Sequence, residues 1–180
     1  MPTPASRYLL AVARAASGLG AERIAVLTAP GRFARHARAG LEGEIAPVSE
    51  RDADCVLLCG PVEWEAERFR SLAGRGLLLG GISPGLPSAP PVWPEGTLAP
   101  VQWHPDLGGP PGVEDYVAAQ AYAAALIACE CGTADAARSL HTETFFGRFE
   151  LDASGLQVCH RLAVVRWLEG APRLLVADAA

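Results

Sequence analysis

The chain has no lysine and no asparagine; all fifteen of its basic residues are arginine. Without Lys there is no Schiff-base chemistry and no phosphate-loop lysine, and without Asn no catalytic asparagine. The arginines form no run and the net charge is −5, so the positive footprint of a nucleic-acid binder is missing. Long apolar runs are missing too. The N-terminal apolar stretch 8–13 is cut by Arg14, which is too short for the core of a signal peptide and far short of the roughly 20 residues that span a membrane. Cysteine is sparse and unpatterned: five residues, an odd number, in spacings that suit neither a disulfide scaffold nor a zinc ribbon. The expectation is a cytoplasmic protein with no nucleic-acid partner, no membrane contact, no metal and no cofactor.

Half of the 180 residues are hydrophobic, enough for the core of one domain or two small lobes. The pattern along the chain alternates strands and helices. Residues 6–19 predict an amphipathic helix, and RIAVLT (23–28) a buried strand. A helix follows up to Gly43, then a weaker strand at 44–49, whose Pro47 places it at an edge. DCVLLCG (54–60) reads as a parallel strand buried on both faces. A helix with Trp64, Phe69 and Leu72 inward leads to a strand at 77–82. Only residues 50–53 separate the strands at 44–49 and 54–60, too few for a parallel crossover. The two strands are therefore antiparallel, or a helix has been lost between them.

Composition then shifts. SPGLPSAPPVWPEG (83–96) holds five prolines and predicts a loop. TLAPVQW (97–103) predicts a strand, residues 112–132 the clearest helix, and 133–140 a short one. FFGRFELDASGLQVCHRLAVVRW (145–167) reads as strand, turn, strand. A last strand at 173–177 pairs with 162–168 across a turn at 169–172. Strands alternating with helices predict a three-layer α/β fold around a mostly parallel sheet, with 1–105 as the α/β unit and 106–180 as a C-terminal helix and β-hairpin completing the domain.

Chemistry-bearing motifs are few. Cys129 and Cys131, Cys55 and Cys59, and Cys159 next to His160 do not converge by spacing, and packing as small hydrophobes is the better reading of Cys55 and Cys59. No G-x-S-x-G elbow and no dinucleotide-binding glycine fingerprint is present. Open α/β sheets bind ligands at the carboxyl ends of their strands. The loops expected there hold Arg32, Phe33, Trp64, Ser83, Trp103 and His104, with Tyr116 and Gln120 near the next helix start. The aromatics suit an apolar wall; Arg32, His104 and Gln120 suit polar contacts. His104, Asp106, Glu114 and His141 are the candidates for proton transfer.

Ala118-Ala119-Gln120-Ala121-Tyr122-Ala123, and Phe146-Gly147-Arg148-Phe149-Glu150-Leu151-Asp152 with Gly155 and Gln157, carry a resemblance. The region resembles the C-terminal part of type I periplasmic binding proteins, the branched-chain-amino-acid-type solute receptors of ABC transporters. RIAVLTAPGRFARHARAG looks like the first strand–loop–helix of their second lobe. The resemblance implies a lobe-two-like sheet followed by the piece that normally completes lobe one. Family members are about twice as long, and the half that anchors an amino-acid ligand has no match, nor has an export signal. The resemblance therefore implies a cytosolic small-molecule-binding protein, a homodimer covering the apolar surface left bare, with the pocket at or near the interface. The alternatives are an enzyme of a specialised biosynthetic pathway using a His/carboxylate pair, and a ligand-free interaction or regulatory protein.

Overall fold

The computed structural model describes residues 5–86, 93–155, 157 and 159–176. In chain order, α1 (Ser6–Gly18) leads to β1 (Ile24–Thr28), α2 (Arg32–Ala39), β2 (Cys55–Cys59), α3 (Val62–Leu72), β3 (Leu78–Gly81) and β4 (Leu98–Val101). Then come α4 (Tyr116–Cys131), the one-turn α5 (Ala134–Ala137), the short strands β5 (Thr142–Thr144) and β6 (Gly147–Phe149), and finally β7 (Ala163–Leu168) and β8 (Ala171–Val176). Six strands form one sheet in the order β1-β2-β3-β4-β7-β8. The first four are parallel, and β7 and β8 add on antiparallel. The expected mostly parallel α/β sheet is present, and the segment 106–180 supplies its last two strands.

β2 shows why the layers form. All five of its residues are buried, and successive side chains point to opposite faces. Cys55, Leu57 and Cys59 join the core under α1 and α2, with Leu9, Val12 and Ile24. Val56 and Leu58 join the core under α3, with Phe69, Leu72 and Trp167. A smaller cluster of Trp103, Ala119, Ala123 and Phe146 seats α4. The α1–α2 contact is close: a Cβ at Gly40 would lie 1.9 Å from the Ser6 carbonyl oxygen.

Expectations for three segments and for one turn need correction. Residues 44–49 form no strand. One hydrogen bond, from Val48 N to Ile24 O at 3.0 Å, ties the segment to the edge of β1, and Pro47 has no N–H to extend a ladder. The chain here wraps from the α1 side, where Ile45 packs, to the α3 side, where Val48 packs. A 3-10 turn, Glu50–Asp52, completes the step to β2, so no helix stands where the short spacing could not hold one. Next, 145–167 is not one hairpin. Gly147 bridges His160 and Leu151 bridges Gln157 in a satellite beside α4, whereas β7 leaves it to pair with β4. The last correction concerns α3, whose buried positions are Glu65, Phe69 and Leu72, with Trp64 only half-buried. The turn expected at 169–172 is tighter, Glu169 and Gly170 at φ 55° and 74° between β7 and β8, the left-handed pair that suits strand twist. Of the proline-rich loop, 87–92 lie outside the described residues, as does Ala177.

Replacing Gly40 by Ala is expected to destabilise the fold by about 1–3 kcal/mol, because backbone must move. Gly18→Ala, where nothing lies within 4 Å, is expected to be neutral or slightly stabilising. Urea unfolding of the two variants checks the contrast.

Candidate functional site

Side chains from the first turns of three helices come together at the carboxyl ends of β3 and β4. Tyr8 stands in the first turn of α1, Phe33 in that of α2 and Tyr116 at the start of α4. With Ile82, Leu86, Gln102 and Trp103 they line a cleft of about 210 Å³. Its floor is set by a close approach, since a Cβ at Gly85 would lie 2.0 Å from the Pro100 carbonyl oxygen. Gln102 sits between two phenols. Its amide NH₂ donates to Tyr8 Oη, and Tyr116 Oη donates to its carbonyl oxygen at 2.5 Å. Tyr8 accepts that bond and so keeps its own O–H to donate.

Burial sets the protonation state of this rim. Burial raises the Tyr8 hydroxyl above its usual pKa against the opposing Gln102 bond, and burial next to Tyr8 raises Tyr116. Both phenols therefore stay neutral donors. Among the described residues neither α1 nor α2 has a side-chain N-cap, whereas Asp115 caps α4 through the Ala118 N–H at 2.8 Å. Uncapped N–H groups and the positive end of the helix dipole attract negative charge.

The sequence-derived candidates separate. Phe33, Trp103 and Tyr116 come together in the rim cleft. Gln120 lines a different cavity, between α4, α5 and β6. Trp64 and Ser83 lie toward the α3 face, Trp64 beneath the Arg68 guanidinium at 6.0 Å. Arg32 is exposed at the start of α2. His104 Nδ1 accepts from the Asp106 N–H at 3.3 Å, capping a short turn. His141 faces Arg148 and Glu150 on the small β5–β6 sheet. His104, Asp106, Glu114 and His141 line neither of the two clefts. Tyr8 and Gln102 were not among the candidates; the signal for Gln102 is a lone amide ending an apolar strand.

No protein-family model and no curated protein sequence matches the chain. Solved structures do. One is an ABC-transporter solute-binding protein from R. palustris in complex with benzoate: 15% identity, TM-score 0.63, covering 98% of this chain and 64% of that one. The leucine-, isoleucine-, valine-, threonine- and alanine-binding protein of Brucella ovis, in its closed conformation, gives 12% identity and TM-score 0.72, over 96% of this chain and 61% of its own. A leucine-binding protein of Thermotoga maritima gives 14% and 0.70, over 94% and 65%. The chain has the fold of ABC-transporter solute-binding proteins. It spans less than two thirds of the length of each of these three.

On the other face of this solute-receptor fold, Glu65 ties the ends of β2 and β3 together. It is fully buried. Its two oxygens accept from the Gly60 N–H and the Ser83 N–H, each at 2.8 Å. Burial pushes its pKa up from 4.5 to about 7, and the hydrogen bonds only partly offset this. Its position was readable, because Glu65, Phe69 and Leu72 follow an i, i+4, i+7 spacing. The folded state keeps the proton that the unfolded chain has shed, so this carboxyl's contribution to stability is full below pH 4.5 and is lost as pH rises to about 7. Thermal unfolding from pH 4.5 to pH 7 is therefore expected to show the advantage of the native chain over Glu65→Gln shrinking with rising pH; parallel profiles would contradict it.

Proposed function

We propose that the chain is a small-molecule-binding protein that holds a small carboxylic acid with an apolar or aromatic body in the rim cleft. The observation that carries this is the convergence of Tyr8, Gln102 and Tyr116 with Phe33 and Trp103 beside two helix starts lacking side-chain caps. The carboxylate would meet the Tyr8 hydroxyl and the amino ends of α1 and α2, with Arg32 nearby on α2. The body would lie against Phe33 and Trp103. Solved structures of the same fold hold benzoate, 4-hydroxybenzoate and isoleucine, which supports this chemistry for the present chain.

Two finer features belong to the same reading. All five cysteines are unpaired thiols, which supports a reducing, cytosolic setting; among the described residues no helix is long and apolar enough to cross a membrane. The chain is a homodimer through α4, with the pocket near the interface. The support is the composition of α4. Between Tyr116 and Cys129 it has no charged residue, yet it buries only Ala119 and Ala123 and exposes Val117, Tyr122 and Leu126. A helix apolar on every side belongs inside an assembly. An enzyme using His104 and Asp106 is the second reading, favoured by their side chains at 3.5 Å next to Trp103.

Benzoate, 4-hydroxybenzoate, leucine and isoleucine form the test panel for isothermal titration and thermal shift. At a hundred times its Kd a ligand is expected to add about 2.7 kcal/mol of stability. Gln102→Ala is expected to weaken binding about tenfold or more. A panel that leaves the melting temperature unmoved would contradict the reading. For the dimer, light scattering at micromolar concentration is expected to give twice the chain mass, and Leu126→Glu to give monomer; a native monomer would sink it.

A further inference from the structure

The cavity that Gln120 lines takes no part in the rim reading. It measures about 390 Å³, within the range of small-molecule sites. Ile127, Phe146 and Phe149 and alanines of α4 and α5 form its walls, and among the described residues that line it none is Asp, Glu or Arg. Of its polar groups, Gln157 is committed to backbone: its oxygen accepts from Glu150 N at 2.8 Å and its NH₂ donates to Arg148 O at 2.9 Å. Thr133 caps α5 through the Ala136 N–H at 3.2 Å. The side-chain amide left to face a ligand is that of Gln120. His160, 5% exposed, stacks on Phe146 with centroids 5.1 Å apart and planes at 28°. Burial, helped by the positive charge of Arg7, lowers its pKa to about 4, so near neutral pH it presents an uncharged ring.

These walls discriminate by charge. An ionised ligand would be desolvated with no opposite charge among the described lining residues, a loss that apolar contact does not recover. A neutral planar ring would gain burial and a place against the Phe146–His160 stack. The described lining of the rim cleft has no charged side chain either; what sets the rim apart is the helix starts without side-chain caps beside it. The exposed Tyr122 and Leu126 lie on a different side of α4 from the cavity stripe (Gln120, Ala124, Ile127, Ala128), so a dimer contact through those two leaves the cavity open.

We propose that this cavity is a second binding site, for a small neutral molecule with a planar ring and one amide- or hydroxyl-type group that pairs with Gln120. The probes are benzamide and benzoate, which share shape and differ in charge, titrated into the full chain and followed by calorimetry and by NMR of the His160 ring. Benzamide is expected to bind and shift the His160 resonances. Ala124→Phe, which fills the cavity from a solvent-exposed helix position, and Gln120→Ala are each expected to weaken it about tenfold, with circular dichroism unchanged. Gln102→Ala, in the rim cleft, is expected to leave it untouched. Benzoate binding, which reports the rim site, is expected to be insensitive to Ala124→Phe, so the two sites can fail separately. Absence of benzamide binding at millimolar concentration, binding that survives Ala124→Phe, or binding lost with Gln102→Ala would overturn the proposal. So would benzamide affinity that rises on dilution, since a second copy of the chain would then occupy the cavity.

Discussion

The antiparallel ladder between β4 and β7, running from Leu98↔Arg166 to Val101↔Ala163, is the contact on which the rest of the structure depends. It joins the parallel α/β unit to everything after residue 106. Both ends of the α4–β6 excursion are tethered by it, since the chain leaves the sheet after Val101 and returns at Ala163. Trp167 adds a cross-tie from within β7: its indole N–H donates to the Pro84 carbonyl at 3.0 Å and fixes the turn after β3. The rim cleft exists because of this closure. Gln102 and Trp103 follow directly on β4, and Tyr116 is delivered to them by the loop that leads into α4.

Much of this organisation was legible in the sequence. The unbroken apolar run in β2, the alanine-rich α4 ending at Gly132 and the final hairpin through Glu169 and Gly170 each carry strong local signals, and each forms near its expected place. Residues 44–49 misled because a short apolar run with a proline reads as an edge strand, and pairing depends on a neighbour that local pattern does not reveal. The segment 145–167 misled for a related reason. Its strand-like halves are real, but tertiary contacts assign them to different sheets: Phe146 and Phe149 face inward beside α4, while β7 is claimed by β4. The rule that ligands meet the carboxyl ends of parallel strands singled out Phe33, Trp103 and Tyr116, which line one cleft. It could not find Tyr8, which reaches the rim from a helix preceding the first strand.

The absence of lysine and asparagine gains meaning in the folded molecule. With no Asn, the only side-chain amides are Gln102, Gln120 and Gln157, and all three stand in cleft walls. Gln102 is oriented by two phenols and Gln157 by backbone, whereas Gln120 is presented to open space. The two clefts thus differ in setting: the rim lies beside helix starts without side-chain caps, whereas the α4–α5 cleft opens along a helix that is charge-free from Tyr116 to Cys129. Both environments follow from short sequence features, the Gly31 start of α2 in the first case and the charge-free stretch of α4 in the second.

The central claim is that the rim cleft is the site of carboxylate recognition. A crystal structure of the chain grown with benzoate tests it most directly. The account predicts the carboxylate within hydrogen-bond distance of Tyr8 Oη, between the amino ends of α1 and α2, with the ring against Phe33 and Trp103. Benzoate bound on the Glu65 side of the sheet or in the α4–α5 cavity, with the rim cleft empty, would contradict it.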